Sequence, residues 1–439
     1  MIIRGAKRVQ GRITLPGDKS ISHRAAMMAA IAEGTSHITN YSSSADCAAT
    51  LSCLEKLGVR IGRSGSDVVI DGAGGKLSQP AADLDCANSG TTMRLLSGIL
   101  AGHDVISTLT GDGSLSSRPM QRIIEPLEMM GAHIASHNGR APLRIEGKDQ
   151  LTAIDYELLT ASAQVKSCIL LAGLNADGRT VVIENEITRD HTERTLRWFG
   201  VALETGKPER EPQNACFAAV TGPAKLRARD VAVPGDISSA AFFIAAAALL
   251  PDAALEISGV GLNPTRVAFL DQLGAMGFEI DSSNRHEESN EPVGNLCVTG
   301  TRIERQDRRD QLRIDGTVIP QLIDELPLLA VVGSQIKGGL EIRDARELRV
   351  KESDRIAATG AGLRAMGCDV EEFEDGLRVN GPTKLRGAQI NPHGDHRIAM
   401  SFTIAGLVAS GETEILNAEC VAVSFPEFFE LLGSVTAGD

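Results

Sequence analysis

LEKLGVRI, residues 54–61, ends an apolar helix on a glycine and passes at once into a short strand. The phrase returns as LEMMGAHI (127–134), LRWFGVAL (196–203), LGAMGFEI (273–280), LRAMGCDV (363–370) and FELLGSV (429–435), so six copies cover the chain at intervals of 66 to 90 residues. Glycine suits the left-handed residue that closes a helix. Gly58, Gly131, Gly200, Gly277, Gly367 and Gly433 are all assigned that place. Five copies continue into an alternating strand that ends on glycine: DVVIDG, PLRIEG, FAAVTG, NLCVTG and LRVNG. The sixth has no room for one before Asp439, and MIIRG at the N-terminus is expected to supply it, which makes one domain discontinuous.

Each unit also holds two helix openings. One kind is apolar on nearly all sides after a polar start, as in KSISHRAAMMAAIA, NSGTTMRLLSGILA, SAQVKSCILLAG, DISSAAFFIAAAAL, DELPLLAVVG and DHRIAMSFTIAG, and such helices belong in a core. The other kind is amphipathic, as in RPMQRIIEPLEMMG. Strand, buried helix, strand, outer helix and a closing pair of strands make a βαβαββ unit of about 70 residues. The expected architecture is α/β, six units arranged three plus three. LPGD (15–18) and VPGD (233–236) stand before the first buried helix of each set, and their proline and glycine mark them as crossings and hinges. Residues 1–14 with 235–439 are expected to form the discontinuous domain, and 15–234 the other.

The 439 residues favour two or three domains, and 42% hydrophobic content with only 3% aromatic fits an aliphatic core. MIIRGAKRVQGR lacks the apolar stretch of a signal peptide, and AAFFIAAAALL (240–250) is too short to span a bilayer, so a cytoplasmic protein without a membrane partner is expected. Eight scattered cysteines with no C-x-x-C read as reduced and structural. A net charge of -13 argues against nucleic acid as a partner. It leaves a small anion open, because a local positive pocket acts whatever the total charge.

Polar residues collect at the helix openings: Lys19, Ser20, Arg24, Asn88, Ser89, Gly90, Arg94, Arg118, Ser162, Gln164, Arg189, Asp324, Lys351, Glu352, Arg355, His396 and Arg397. A helix N-terminus favours anions, so a cation there is unfavourable unless an anion binds beside it. Arg118, Arg189, Lys351 and Arg397 are read as such cations, four of them at equivalent places, converging on a phosphate or carboxylate. Plainer readings stand beside this one. Ser162 serves equally as a helix cap, Gln164 as a core amide, and RVKESDR as a salt-bridged helix start. Asp324 serves as a cap, with Glu325 the alternative carboxylate one residue on. HGDHR has too few carboxylates for a metal site, and GDKS lacks the glycine spacing of a nucleotide phosphate loop.

In this order LPGDKSISHR, NSGTTMRLL, SLSSRPM, SAQVKSCILLAGL, TRDHTE, LRVKESDR, GDHRIAMSF and SFPEF, from about Arg12 to Leu432, resemble the 5-enolpyruvylshikimate-3-phosphate synthase family, 3-phosphoshikimate 1-carboxyvinyltransferases of the bacterial class II-like branch. The resemblance implies a two-domain enolpyruvyl transferase fold, an inside-out α/β barrel closing over its substrates. It implies transfer of the enolpyruvyl group of phosphoenolpyruvate to the 5-hydroxyl of shikimate 3-phosphate, with release of phosphate, on the shikimate pathway toward chorismate and the aromatic amino acids. It implies no cofactor, no metal and a monomer, with glyphosate competing for the phosphoenolpyruvate site.

Carried onto this chain, the resemblance gives Lys19, Ser20, Arg24, Ser162, Ala163, Gln164, Arg189, Asp324 and Lys351 to shikimate 3-phosphate. It gives Lys19, Asn88, Gly90, Arg118, Gln164, Arg355 and Arg397 to phosphoenolpyruvate. The catalytic set is Lys19, Asp324, Glu352 and His396: Asp324 for the hydroxyl proton, Glu352 for the methylene carbon, Lys19 for the addition intermediate, with His396 and Lys351 orienting. Val423 departs from the pattern, standing where many relatives have a lysine before the Ser-Phe-Pro segment. Two rivals remain. A UDP-N-acetylglucosamine 1-carboxyvinyltransferase would share the six units but is expected to carry Lys-Asn and a loop cysteine, and no cysteine lies between Cys86 and Cys168. A non-catalytic repeat scaffold would spread its binding residues over a surface.

Overall fold

The structure is a computed structural model that describes residues 1–208, 215–300 and 312–437. Gly58, Gly131, Gly200, Gly277 and Gly367 have φ of 86°, 96°, 87°, 96° and 89°, the left-handed conformation that ends a helix. Gly433 does not. It lies inside the helix Phe428–Val435, which passes straight into the extended Thr436 and needs no left-handed residue.

Six sheets repeat one order. In the sheet of Leu84–Asp85, Ile106–Thr110, Arg140–Glu146 and His133–His137, the first pair is parallel and the other two are antiparallel. The other sheets keep this order, with an extra strand in two of them and three strands in one. In the sheet of Gln389–Ile390 and Glu412–Ile415, the closing place is taken by Ile2–Arg4, antiparallel with Ile2 opposite Glu414. The side chains alternate accordingly: Val68 and Ile70 of Asp67–Ala73, or Leu143 and Ile145 of Arg140–Glu146, face inward, while Asp67, Asp71, Pro142 and Arg144 are exposed.

The chain divides into two compact units. One comprises Met1–Pro16, Gly235–His286 and Pro292–Asp439; the other comprises Gly17–Pro234 and Glu287–Glu291. Residues 287–291, which the sequence boundaries put in the discontinuous part, cluster with the second of these. The strands before the two Pro-Gly-Asp segments pair away from the helices they lead into. Arg8–Thr14 precedes the helix Lys19–Ile31 but runs parallel to Ala254–Gly261, whereas Val231–Ala232 precedes Ile237–Leu249 but runs parallel to Glu33–Thr39. The crossing therefore falls between strand and helix.

Within each unit the apolar helices are inside and the sheets outside. In the Gly17–Pro234 unit, Lys19–Ile31, Gly90–Ala101 and Ala163–Gly173 pack on one another in an aliphatic core. In the other unit the centre is Ile237–Leu249, Leu326–Gly333 and His396–Val408, joined by edge contacts of Phe242 and Phe243 with Phe428. All thirteen residues of Ile237–Leu249 are buried, which accounts for a sequence with no polar face after Ser239. Among the described residues no single helix is long and apolar enough to cross a membrane.

Candidate active site

In the Gly17–Pro234 unit the predicted residues gather where the three inner helices begin. Asp18 caps the first of these, its Oδ1 accepting from the Ile21 N–H at 2.9 Å, and this sets Lys19 and Ser20 in the opening turn. Lys19 Nζ pairs with Asp46 Oδ2 at 2.8 Å, both largely buried, so a cation at a helix start has its counter-charge built in. Arg24 is buried, and each of its nitrogens is bonded within the protein: Nε to Thr192 Oγ1 (2.6 Å), Nη1 to the Ser20 carbonyl (3.0 Å), Nη2 to Ser167 Oγ (2.9 Å). Burial pulls its pKa down to about 10, with Glu193 opposing and Arg189 adding to the fall. Arg24 and Arg189 are thus electrostatic neighbours. His23, on the inner face, is held neutral by burial and then by Lys19 and Arg24. Its Nδ1 meets Thr50 Oγ1 at 2.6 Å, and Thr50 continues to Thr92 at 2.7 Å, tying the first helix to the second.

Ser89 caps that second helix, accepting from the Thr92 N–H at 3.1 Å, and Gly90 is its first residue. A β-carbon on Gly90 would stand 2.9 Å from Arg94 Nη1 and 3.4 Å from Arg118 Nη1, so the glycine leaves room where two guanidinium groups come close. Arg118 Nη2 donates to Asn88 Oδ1 at 2.7 Å, and Asn88 Nδ2 donates to Asp112 Oδ2 at 2.7 Å. Arg94 Nη1 donates to Gln164 Oε1 at 2.5 Å, and Gln164 Nε2 donates to Thr91 at 2.8 Å. Asn88, Gly90, Arg118 and Gln164 therefore form one connected patch. Ser162 is the cap of the third helix, accepting from the Val165 N–H at 3.4 Å, with Ala163 and Gln164 in the opening turn.

Behind this patch Lys166, 1% exposed, bridges Glu184 (2.8 Å) and Glu193 (2.7 Å). Burial opposes its ammonium form, but the two carboxylates outweigh burial and raise its pKa above the ordinary lysine value. Glu193 belongs to the helix His191–Trp198, which follows Arg189 and Asp190.

In the other unit Arg355 is the first residue of the helix Arg355–Ala365 and is 1% exposed. It gathers three carboxylates: Nε to Asp395 Oδ2 at 2.8 Å, Nη2 to Glu352 Oε2 at 2.6 Å, Nη1 to Asp324 Oδ1 at 3.2 Å. Lys351 is part of the same group. Burial lowers its pKa, Asp324 works against the fall and Arg355 adds to it. Asp395 caps the helix His396–Val408, accepting from the Arg397 N–H at 2.9 Å, and so fixes both His396 and Arg397 in the first turn. Arg397 Nη1 lies 3.7 Å from Glu325 Oε1, and the guanidinium stands over the Phe242 ring at 5.9 Å.

Two assignments of cations to helix starts do not hold. Arg118 follows the five-residue helix Gly113–Ser117 as its C-cap, and Lys351 follows the short 3-10 turn Arg346–Val350; at C-terminal ends a cation is favoured. Arg189 precedes the cap residue Asp190. Of the predicted site cations, Lys19, Arg355 and Arg397 are in opening turns, and each faces a carboxylate from another element. Asp324 is not a cap: Glu325 occupies that place before Leu326–Gly333, with no side-chain cap bond. Asp46 and Asp395 were missed as partners, and Asp395, the aspartate of GDHR, lay in a motif that could have pointed to it; Glu325, read only as the alternative to Asp324, pairs instead with Arg266 and Arg397.

Cations gathered near the openings of inner helices, in two units built from one repeated sheet order, are the architecture of the enolpyruvyl transferase fold. The enolpyruvyl transferase NikO from Streptomyces tendae matches the fold with a TM-score of 0.77 at 20% identity, over 100% of this chain and 99% of that one. The chain belongs to the EPSP synthase (3-phosphoshikimate 1-carboxyvinyltransferase) family, whose model matches residues 3–432. It is 51% identical over 434 residues to a 3-phosphoshikimate 1-carboxyvinyltransferase from Koribacter versatilis, covering 99% of this chain and 98% of that protein. A relative of the same name from Salinibacter ruber is 48% identical, with 98% of each chain covered. An EPSP synthase structure from Acinetobacter baumannii is 43% identical with a TM-score of 0.85, over 99% of this chain and 97% of that one.

Proposed function

We propose that the protein transfers the enolpyruvyl group of phosphoenolpyruvate to the 5-hydroxyl of shikimate 3-phosphate, forming 5-enolpyruvylshikimate 3-phosphate and phosphate. The observation that carries this is the family match along nearly the whole chain, residues 3–432. A UDP-N-acetylglucosamine enzyme would share the fold, but the relatives named above carry one activity in their names, which favours shikimate 3-phosphate as acceptor and disfavours a scaffold.

Lys19, Ser20, Ser162, Ala163, Gln164, Arg189, Asp324 and Lys351 hold shikimate 3-phosphate, and Arg24 fixes its carboxylate. Arg118, Arg355 and Arg397, with Asn88 and Gly90, hold phosphoenolpyruvate, because guanidinium forks bind phosphate and carboxylate bidentately. Asp324 accepts the proton of the 5-hydroxyl as its oxygen attacks C2 of phosphoenolpyruvate. Glu352 delivers a proton to C3, making a methyl group. When the C2–O bond to phosphate breaks, the phosphate leaves with the proton held on Asp324, Glu352 takes a methyl proton back, and the double bond and both carboxylates are restored. Asp324, Glu352 and Asp395 share the guanidinium of Arg355, and the Lys351 ammonium acts on Asp324 and Glu352, so carboxylates outnumber cations in a site required to take up and return a proton. Lys19, steadied by Asp46, stabilises the charge of the addition intermediate, and His396 orients the site.

Leu15 to Asp18 and Val233 to Asp236 act as hinges on which the site closes, and the enzyme works as a cytoplasmic monomer. Solution scattering that does not change when both substrates are added would count against the hinges, and sedimentation as a dimer against the monomer. The main test is phosphate release from phosphoenolpyruvate with shikimate 3-phosphate or UDP-N-acetylglucosamine as acceptor. Release is expected with the first; release with the sugar nucleotide only would overturn the assignment.

A further inference from the structure

Asp324 and Glu325 are adjacent in the turn between Ile319–Leu322 and Leu326–Gly333, yet their side chains serve different arginines. Asp324, 17% exposed, reaches Arg355. Glu325, 3% exposed, lies in a separate buried cluster: its Oε1 accepts a short hydrogen bond from Ser238 Oγ and stands 3.4 Å from Arg266 Nη2 and 3.7 Å from Arg397 Nη1. The Arg397 contact is an ion-pair distance, and the same Nη1 is 3.5 Å from the Ser238 carbonyl.

The two arginines differ in what remains of their forks. Every nitrogen of Arg355 is on a carboxylate. Among the described residues, the guanidinium of Arg397 makes its hydrogen bond through Nη1 alone, with the Phe242 ring against its face. The Nε and Nη2 edge of Arg397 is therefore able to meet two oxygens of an anion side by side.

We propose that Glu325 is a positioning residue for Arg397: with Ser238 it anchors Nη1 so that the opposite edge faces phosphoenolpyruvate. The inference rests on Arg397 binding that substrate. It opposes a second role for the same carboxylate, simple neutralisation of Arg266 and Arg397, and the two roles predict opposite signs. Neutralisation would make removal of the charge tighten anion binding. Positioning makes it weaken binding, because the arginine loses its anchor while its charge is unchanged.

The test is steady-state phosphate release by the full chain, with the KM of each substrate and kcat measured separately for Glu325→Gln, which keeps size and the bond to Ser238. The KM for phosphoenolpyruvate should rise about tenfold, the low end for a lost contact to a charged group. The KM for shikimate 3-phosphate and kcat should change little. Ser238→Ala, which removes the anchor of Glu325, should move the same KM in the same direction by less, and it carries the test alone if Glu325→Gln does not fold. An unchanged or lower KM for phosphoenolpyruvate overturns the proposal, as does an equal rise for both substrates. Wild-type enzyme that releases no phosphate with shikimate 3-phosphate would instead overturn the functional assignment.

Discussion

LPGDKSISHR and VPGDISSAAFF share a frame and diverge after it. Both aspartates cap the helix that follows: Asp18 accepts from the Ile21 N–H at 2.9 Å, Asp236 from the N–H groups of Ser238 (2.7 Å) and Ser239 (3.2 Å). The glycines are less alike. A β-carbon on Gly17 would stand 1.8 Å from the Asn40 carbonyl oxygen, whereas on Gly235 the nearest atom would be 3.3 Å away. Past the cap, Lys19 and Arg24 are replaced by Ile237 and Phe242. Arg24 is a buried cation in polar surroundings; Phe242 is a buried ring that has Arg397, from another helix, above it. One unit carries its cation on the first inner helix, and the other brings it in from the third. Cap and crossing belong to the fold, while the side chains one turn later belong to the chemistry.

The sharpest way to break that separation is Lys19→Met. Ile237 shows that an apolar residue is compatible with the position, so the protein should still fold, less stable for leaving Asp46 without its cation, while turnover falls by roughly a thousandfold or more. Phosphate release and far-UV circular dichroism decide between the outcomes. Normal turnover removes Lys19 from the mechanism, and an unfolded product makes it part of the fold. Lys166→Met tests the reverse case, a cation that serves structure. Its removal leaves Glu184 and Glu193 facing each other in the core, and should cost about 3–5 kcal/mol, several degrees in the melting temperature. A melting curve superimposable on wild type would show that the triad adds nothing.

What the chain displays in one dimension and what it hides follow the same line. Five of the six closing glycines could be read because a left-handed helix end is a local demand that glycine answers; Gly433 imitated the pattern but sits in a helix that ends in extended backbone. The lysine and arginines of the site were legible as unusual charges near helix openings. Their partners were not, since Asp46 is 27 residues from Lys19 and Asp395 is 40 from Arg355, and an acidic residue on a helix carries no mark of which cation the fold will bring to it. Arg118 and Lys351 were misplaced because helices of five residues are too short to leave a periodic trace.

A pH profile sharpens the contrast between the two kinds of lysine. Lys166 is held charged above the ordinary range, but Lys351 is shifted down by burial, with Asp324, Glu347 and Glu352 resisting and Arg355 assisting. The folded protein therefore releases the Lys351 proton at a lower pH than the unfolded chain. Charged Lys351 costs stability below its folded pKa, and the cost disappears as pH rises through that value toward the unfolded one, so its contribution to stability increases with pH. Activity should do the opposite: kcat/KM for shikimate 3-phosphate should fall on an alkaline limb centred below the ordinary lysine pKa. In Lys351→Arg the limb should move to higher pH. A limb that stays in place belongs to another group.

The smallest expected effect addresses the shared frame itself. Asp18→Ala and Asp236→Ala each delete a cap, worth about 1 kcal/mol, and similar losses at the two sites are expected if the caps are equivalent parts of the fold. Asp236 caps through the N–H groups of Ser238 and Ser239 and Asp18 through that of Ile21, so any difference from the caps themselves should place the larger loss at Asp236. Chemical denaturation of the two variants measures this. Kinetics then separate them, because Asp18 sets the turn that carries Lys19 and Ser20, and Asp236 the turn that carries Ser238. Asp18→Ala should raise the KM for shikimate 3-phosphate a few-fold, and Asp236→Ala should act on phosphoenolpyruvate through Ser238, Glu325 and Arg397. Identical kinetic effects would mean that the two crossings are equivalent in function as well as in form, and that the difference between Lys19 and Ile237 does not divide the chemistry between them.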